Sequence, residues 1–149
     1  MRMAVIEAVV ILAAASAAFA GDYRDAAVLA TDSANFAWCE AKSLPVLTPW
    51  PNYEYWRTLA LSDAELALNE AAVAVQSADI ADEWYAIYSK QMVLRATGQR
   101  WSMQTLTDAK IKYDAARADS FSHSTESRKW ASLSGNAAGT ARQMLAAIE

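Results

Sequence analysis

Leu44-Pro-Val-Leu-Thr-Pro-Trp-Pro-Asn-Tyr-Glu-Tyr-Trp56 decides the fold, because these residues hold all three prolines of the chain, Pro45, Pro49 and Pro51, together with four aromatic rings. Proline has no amide hydrogen to donate and its ring collides with the preceding turn. A helix arriving from the N-terminus must therefore stop near Ser43, and the next is expected to resume at about Tyr53. Nothing comparable interrupts the chain elsewhere. Its 149 residues include only four glycines, too few for a sandwich or barrel of many short strands, while the abundance of alanine favours helix. The expectation is an all-α protein of about four helices: a single helical domain over residues 21–149, an alanine-rich hydrophobic helix ahead of it, and a proline and aromatic crossover at 44–56.

Working toward the N-terminus, residues 22–44 carry Tyr23, Ala27, Ala30, Ala34, Ala37, Ala41 and Leu44 at alternating spacings of four and three, a heptad stripe that predicts one close-packed helix face. The stripe continues backward through Ala20, Ser16, Ala13, Val9 and Ile6, so that residues 3–43 can form one helix. Residues 1–20 also have the form of an export signal. Arg2 supplies a positive start, Ala8 to Ala15 an apolar run, and Ala18-Phe19-Ala20 a small-x-small cleavage pattern. Retained, the same segment is close to the length that spans a membrane, which would give membrane contact through residues 1–20. Glu7, within the apolar segment of residues 3–20, opposes both uses. The location expected from this segment is exported, periplasmic or extracellular, or membrane-anchored, with a virion as a third setting.

Working toward the C-terminus, Ser62-Asp-Ala-Glu65 has the form of a capping box and predicts a helix start. Leu66, Val73, Ile80, Ile87 and Leu94 then recur every seven residues, with Leu61, Leu68 and Val75 beside them, and this pair of rows is read as the buried face. Asp79, followed by Asp82 and Glu83, is a candidate restart of the helix, and Gly98 its end. Thr105 or Thr107 is expected to cap a helix with Leu106, Ala109, Tyr113 and Ala116 inside. Ser120 to Ser127 reads as a polar connector, and the last helix is expected to bury Trp130, Leu133, Ala137, Ala141, Met144 and Ile148. On that helix Ala131, Gly135 and Gly139 form a small-x-x-x-small row that permits a close helix crossing, within the chain or between copies.

Charge excludes one class of partner. Four basic residues oppose twelve acidic ones over residues 1–89, and nine oppose five over residues 90–149, so the halves attract each other. The basic residues of the second half, Lys110, Lys112, Arg117, Arg128 and Lys129, alternate with Asp108, Asp114, Asp119 and Glu126. No continuous basic face for nucleic acid results.

No catalytic, cofactor or metal motif is found. His123, the single histidine, lies in the serine-rich stretch, and Cys39, the single cysteine, allows neither an internal disulfide nor a thiolate metal site. Glu54 and Asp63 match the first gap of the glutamate, aspartate and threonine set of phage-type lysozymes. Asn69, however, stands at the threonine position, and Leu59 to Ser62 leads into helix. The residues left for recognition are Trp50, Tyr53, Tyr55 and Trp56 on the proline-stiffened segment and the pair Gly135 and Gly139. The function expected is therefore non-enzymatic: a structural or assembly subunit of an envelope or virion complex, a homo-oligomer or bound to other protein subunits. The alternative is an exported binding module that meets a glycan or peptide through Trp50 to Trp56.

Overall fold

The structure is a computed structural model that describes the backbone of residues 2–148 and the side chains of residues 22–148. Among the described residues there are three long helices and no strand: α1 Arg2–Lys42, α2 Pro51–Ala96 and α3 Met103–Ala146. The sequence reading of 1–20 as signal or anchor falls on side chains outside the described residues. At ~1.5 Å per residue, helices of 44 and 46 residues run ~65–70 Å, so the domain is a rod.

The stripe on α1 is buried as expected, with Tyr23, Ala27, Ala30, Ala34, Ala37, Ala41 and Leu44 all nearly or fully covered. Alanine also forms the inner row of α2, at Ala60, Ala64, Ala67, Ala71, Ala74, Ala78 and Ala81. On α3 the middle of the inner row is serine, at Ser120, Ser124, Ser127 and Ser134, flanked by Ala109, Tyr113, Ala116, Ala137, Ala138 and Ala141. With side chains this small, the three backbones come close enough for hydroxyls to reach neighbouring carbonyls. Ser120 donates to Ala74 O at 2.9 Å and to Tyr23 O at 3.4 Å, and Ser127 donates to Ala67 O at 2.8 Å and to Ala30 O at 3.4 Å. Ser134 donates to Ala60 O at 2.7 Å.

These bonds fix the register. Both α1 acceptors precede their serine by 97 residues, so α1 and α3 run parallel, whereas the α2 acceptor moves back one heptad each time the serine moves forward one, so α2 is antiparallel to both. The layers that follow are Tyr23, Ala74 and Ser120, then Ala30, Ala67 and Ser127, then Ala37, Ala60 and Ser134. At the end lie Leu44, Tyr53 and Ala141, which share one buried cluster.

Four expectations are corrected here. The helices number three, because α2 runs unbroken from Pro51: the capping-box serine Ser62 is exposed in mid-helix and Asp79 restarts nothing. Pro51 suits the first helical position, where its missing amide hydrogen has no intrahelical partner to lose. The cap of α3 is Ser102, whose Oγ accepts from the Thr105 amide at 3.2 Å, in place of Thr105 or Thr107. Ser120 to Ser127 is not a connector but the middle of the core. Finally, α2 is rotated from the expected phase: its alanine row faces inward, while Leu66, Val73, Ile80 and Ile87 lie on the flank, 37–40% exposed. The C-terminal end of α2 does follow expectation, with Gly98 at φ 71° and the Gln99 amide bonded back to Leu94 O at 2.9 Å.

The layer geometry distinguishes volume from hydrogen bonding as the reason for serine. Ser127→Ala removes one neutral hydrogen bond and should cost about 0.5–1.5 kcal/mol. Ser127→Leu forces the Ala30 and Ala67 backbones apart and should cost about 1–3 kcal/mol or more. Urea denaturation of both variants measures the difference; equal losses would show that helix separation at this layer is not limiting.

Candidate interaction surface

The crossover is fastened from within. Tyr53 is 1% exposed and its hydroxyl donates to Pro45 O at 2.7 Å, Arg57 Nε donates to Leu44 O at 3.2 Å, and Glu54 accepts from the Leu47 amide. Trp56 is half-buried against the cluster of Leu44, Tyr53 and Ala141, and Tyr55 meets it edge to face at 5.3 Å. Of the four aromatic residues expected to offer a recognition surface, Trp50 and Tyr55 are exposed; Tyr53 is a core residue and Trp56 a partial one. Their proximity reflects the local path of the chain, since Tyr53 must point inward to close the end of the rod.

Gly135 and Gly139 make no close crossing within the chain. A Cβ added at either meets nothing within 4 Å, which corrects the intramolecular half of that expectation. The close approach lies on another face of α3, at Ser127, Ser134 and Ala141, and serine signals it better than glycine does. Neither glycine has a positive φ. Gly135→Ala and Gly139→Ala should each raise stability by about 0.5–1 kcal/mol through the lower entropy of the unfolded chain and better helix propensity. Thermal denaturation of the two variants checks this, and a loss of stability at either would place a neighbouring backbone there.

At mid-rod, α1 is clasped to α2. The Tyr23 hydroxyl donates to Asp82 Oδ1, Arg24 Nε donates to Asp82 Oδ2 at 2.8 Å, and an Arg24 terminal nitrogen reaches Asp79 Oδ1 at 2.8 Å. Burial, then the bond to Asp82, raises the Tyr23 hydroxyl well above the usual tyrosine range. Tyr113 lies edge-on to Tyr23 at 6.2 Å and tilted against Tyr85 at 5.4 Å. The acidic trio expected at a helix start is therefore a mid-helix device in which two carboxylates hold one guanidinium. Among the described residues no group of three or more histidine, cysteine, aspartate or glutamate side chains is placed to hold a metal ion.

His123 is helical and its Nδ1 lies 2.6 Å from Glu70 Oε2, joining α3 to α2. Ser120 and Ser127, one turn to either side, are fully buried and bonded to carbonyls, so no hydroxyl of theirs faces a substrate. Asp63 is separated in role from Glu54. It is 7% exposed with no hydrogen-bonding or charged partner among the described residues, and burial raises its carboxyl above the ordinary value of 3.8.

A raised carboxyl means that the folded state binds the proton more tightly than the unfolded chain. Stability contributed by Asp63 is thus greatest below pH 3.8 and falls as pH rises through the folded value. Asp63→Ala should stabilise the protein at pH 7 by at least the ~0.5 kcal/mol of helix propensity. That gain should shrink toward pH 3, as measured by urea midpoints across the range. A gain independent of pH would mean that Asp63 ionises freely.

What remains exposed and apolar is a row. Leu66, Val73, Ile80 and Ile87 follow one another at heptad spacing on α2, with half-buried Leu59 and Leu94 continuing the spacing at either end. Glu70, on the same flank of α2, bonds His123, which places the row along the edge of α2 next to α3. Leu133 of α3, adjacent to Ser134 and hence level with Ala60, is exposed near one end of it. Val28, Leu29 and Phe36 form a second exposed apolar group on α1. Among the described residues no helix is long and apolar enough to cross a membrane.

No family model matches the chain, and no curated protein or solved structure is similar to it.

Proposed function

We propose that this chain is a non-enzymatic structural subunit, a helical rod that assembles with further copies of itself or with other protein subunits in an envelope or virion complex. Residues 1–20 deliver it there by export or by membrane association. The observation that carries the reading is the phase of α2, whose alanines line the core while Leu66, Val73, Ile80 and Ile87 form a partly exposed row along its flank. Full burial of such a side chain is worth about 1.5–3 kcal/mol, so covering the exposed two-fifths of four of them returns about 2–5 kcal/mol per copy before the costs of association. The row has the heptad spacing that a further helix packs against. It is also symmetric about its midpoint, so a second α2 laid antiparallel sets Leu66 against Ile87 and Val73 against Ile80, with uncharged Gln76 and Ser77 near the axis.

The alternative, recognition of a glycan or peptide by the crossover, narrows to Trp50 and Tyr55, which are exposed, since Tyr53 is committed to the core. Trp50 at the end of a fastened loop and Tyr55 in the second turn of α2 support it less than a continuous row supports assembly.

Val73→Glu with Ile80→Glu should leave the helical signal in place and cost the monomer about 2–4 kcal/mol, the worth of the covered three-fifths of the two side chains. In sedimentation equilibrium the parent should associate and the double variant should not. A parent that stays monomeric at high concentration, alone and with its co-purifying envelope or virion components, would remove this reading. Loss of glycan or peptide binding in Trp50→Ala would favour the alternative.

A further inference from the structure

The three-helix register does not end at Tyr23. Tyr23 is level with Ala74 and Ser120, yet α2 continues to Ala96 and α3 begins back at Met103, so the α2 and α3 hairpin extends ~30 Å past that layer. In this distal half Ala78 and Ala81 are fully buried and Ala109 is 1% exposed. A pair of helices alone leaves such inward positions open on one side; complete burial needs a third wall. Described α1 side chains begin at Asp22, but the α1 backbone continues as helix to Arg2, and no other element is available at that level.

The lining also changes character. Where α1 supplies alanine at mid-rod, α2 and α3 supply alanine and serine. In the distal half the inward heptad positions of the hairpin are Tyr85, Tyr88, Met92, Leu106 and Tyr113, of which Tyr113 is buried and the others half-buried. Large residues here call for a slim partner. Continued backward from Tyr23, the α1 stripe reads Ala20, Ser16, Ala13, Val9 and Ile6. Continued in the same register, Ser16 falls level with Ala81 and Tyr113, and Val9 with Tyr88 and Leu106, so a small or apolar α1 position meets the hairpin's inward row at each layer.

We propose that the distal half of the hairpin, residues 78–95 and 103–116, is a docking groove whose occupant is the chain's own N-terminal segment, residues 2–21, in the same register. The segment is then the third helix of the rod. Seating in the groove and insertion into a bilayer compete for one apolar surface, so a chain that reaches a membrane through this segment must first vacate the groove. Proteolytic removal of residues 1–20 opens a trough of tyrosine, methionine and leucine.

Register makes the test specific. In full-length Cys39→Ser protein, the pair Val9→Cys and Leu106→Cys occupies one layer, equivalent by the spacing of 97 to Ala30→Cys with Ser127→Cys. Both pairs should be bridged within the monomer by dibromobimane or mild oxidation, and Val9→Cys with Leu145→Cys should not. In the unaltered chain without lipid, amides of residues 6–20 should exchange within about tenfold of those of residues 85–95, as members of one cooperative unit. The proposal is overturned if the Ala30 and Ser127 pair bridges while the Val9 and Leu106 pair does not, or if the latter bridges only between molecules. It is equally overturned if residues 6–20 exchange as free chain while the hairpin stays protected. None of these outcomes depends on whether the outer row of α2 drives assembly.

Discussion

The separation of three backbones at the central layers is the constraint on which the rest depends. Alanine or serine at each inward position lets carbonyls of α1 and α2 come within hydrogen-bond distance of hydroxyls on α3, as at Ser127 with Ala67 and Ala30. Those carbonyls already serve their own helices, so the serine bonds are additional and individually modest. What they add is position, because a hydroxyl fits only where a carbonyl meets it. Ser124 is the exception in the row, a buried hydroxyl with no partner among the described residues, at the level where His123 bonds Glu70.

Ion pairs reinforce this arrangement without creating it. Arg142 with Glu40 and Arg24 with Asp79 and Asp82 tie α1 to its neighbours, but each involves side chains about one-third to three-fifths exposed, where solvent screening leaves well under 1 kcal/mol per simple pair. The acidic first half and basic second half meet mainly as a long-range bias. Tyr23 differs because it carries a ring fully into the core and a hydroxyl out to Asp82, so that it both packs and clasps, as Tyr53 does at the crossover through Pro45 O.

Much of α1 was legible in the sequence, since its alanine stripe had no competing pattern on the same helix apart from scattered Val28, Leu29 and Phe36. On α2 two heptad rows coexist, and the bulkier one drew the assignment: Leu66 to Ile87 carries far more transfer energy per residue than Ala67 to Ala81. The alanines prevailed because the core they join is already narrow, set by Ala30 and Ser127 from the other helices, and a leucine there would part the backbones. Ser120 to Ser127 was misread for a related reason. Serine and histidine in succession suggest a solvated linker when taken one by one, and only the seven-residue recurrence of Ser120, Ser127 and Ser134 reveals a face. The prolines locate the break between α1 and α2, but residues 51–56 of the expected crossover belong to α2, and that Tyr53 turns inward and Tyr55 outward depends on helix phase from Pro51, two residues before the restart the prolines predict.

Repetition of the layers has a mechanical side. Moving α3 by one heptad along its neighbours would set Ser127 where Ser120 sits and Ser134 where Ser127 sits, presenting hydroxyl to carbonyl again with scarcely altered volume. Resistance to sliding is therefore concentrated in the few α3 side chains that do not repeat: Tyr113 against Tyr23 and Tyr85, His123 with Glu70, and Arg142 with Glu40. Under tension along the axis such a bundle yields by shear in steps of about 10 Å, one heptad of helix rise, with a native-like core at the end of each step. The same degeneracy makes the central layers tolerant of exchange among alanine and serine, while the non-repeating contacts carry the information that selects one register.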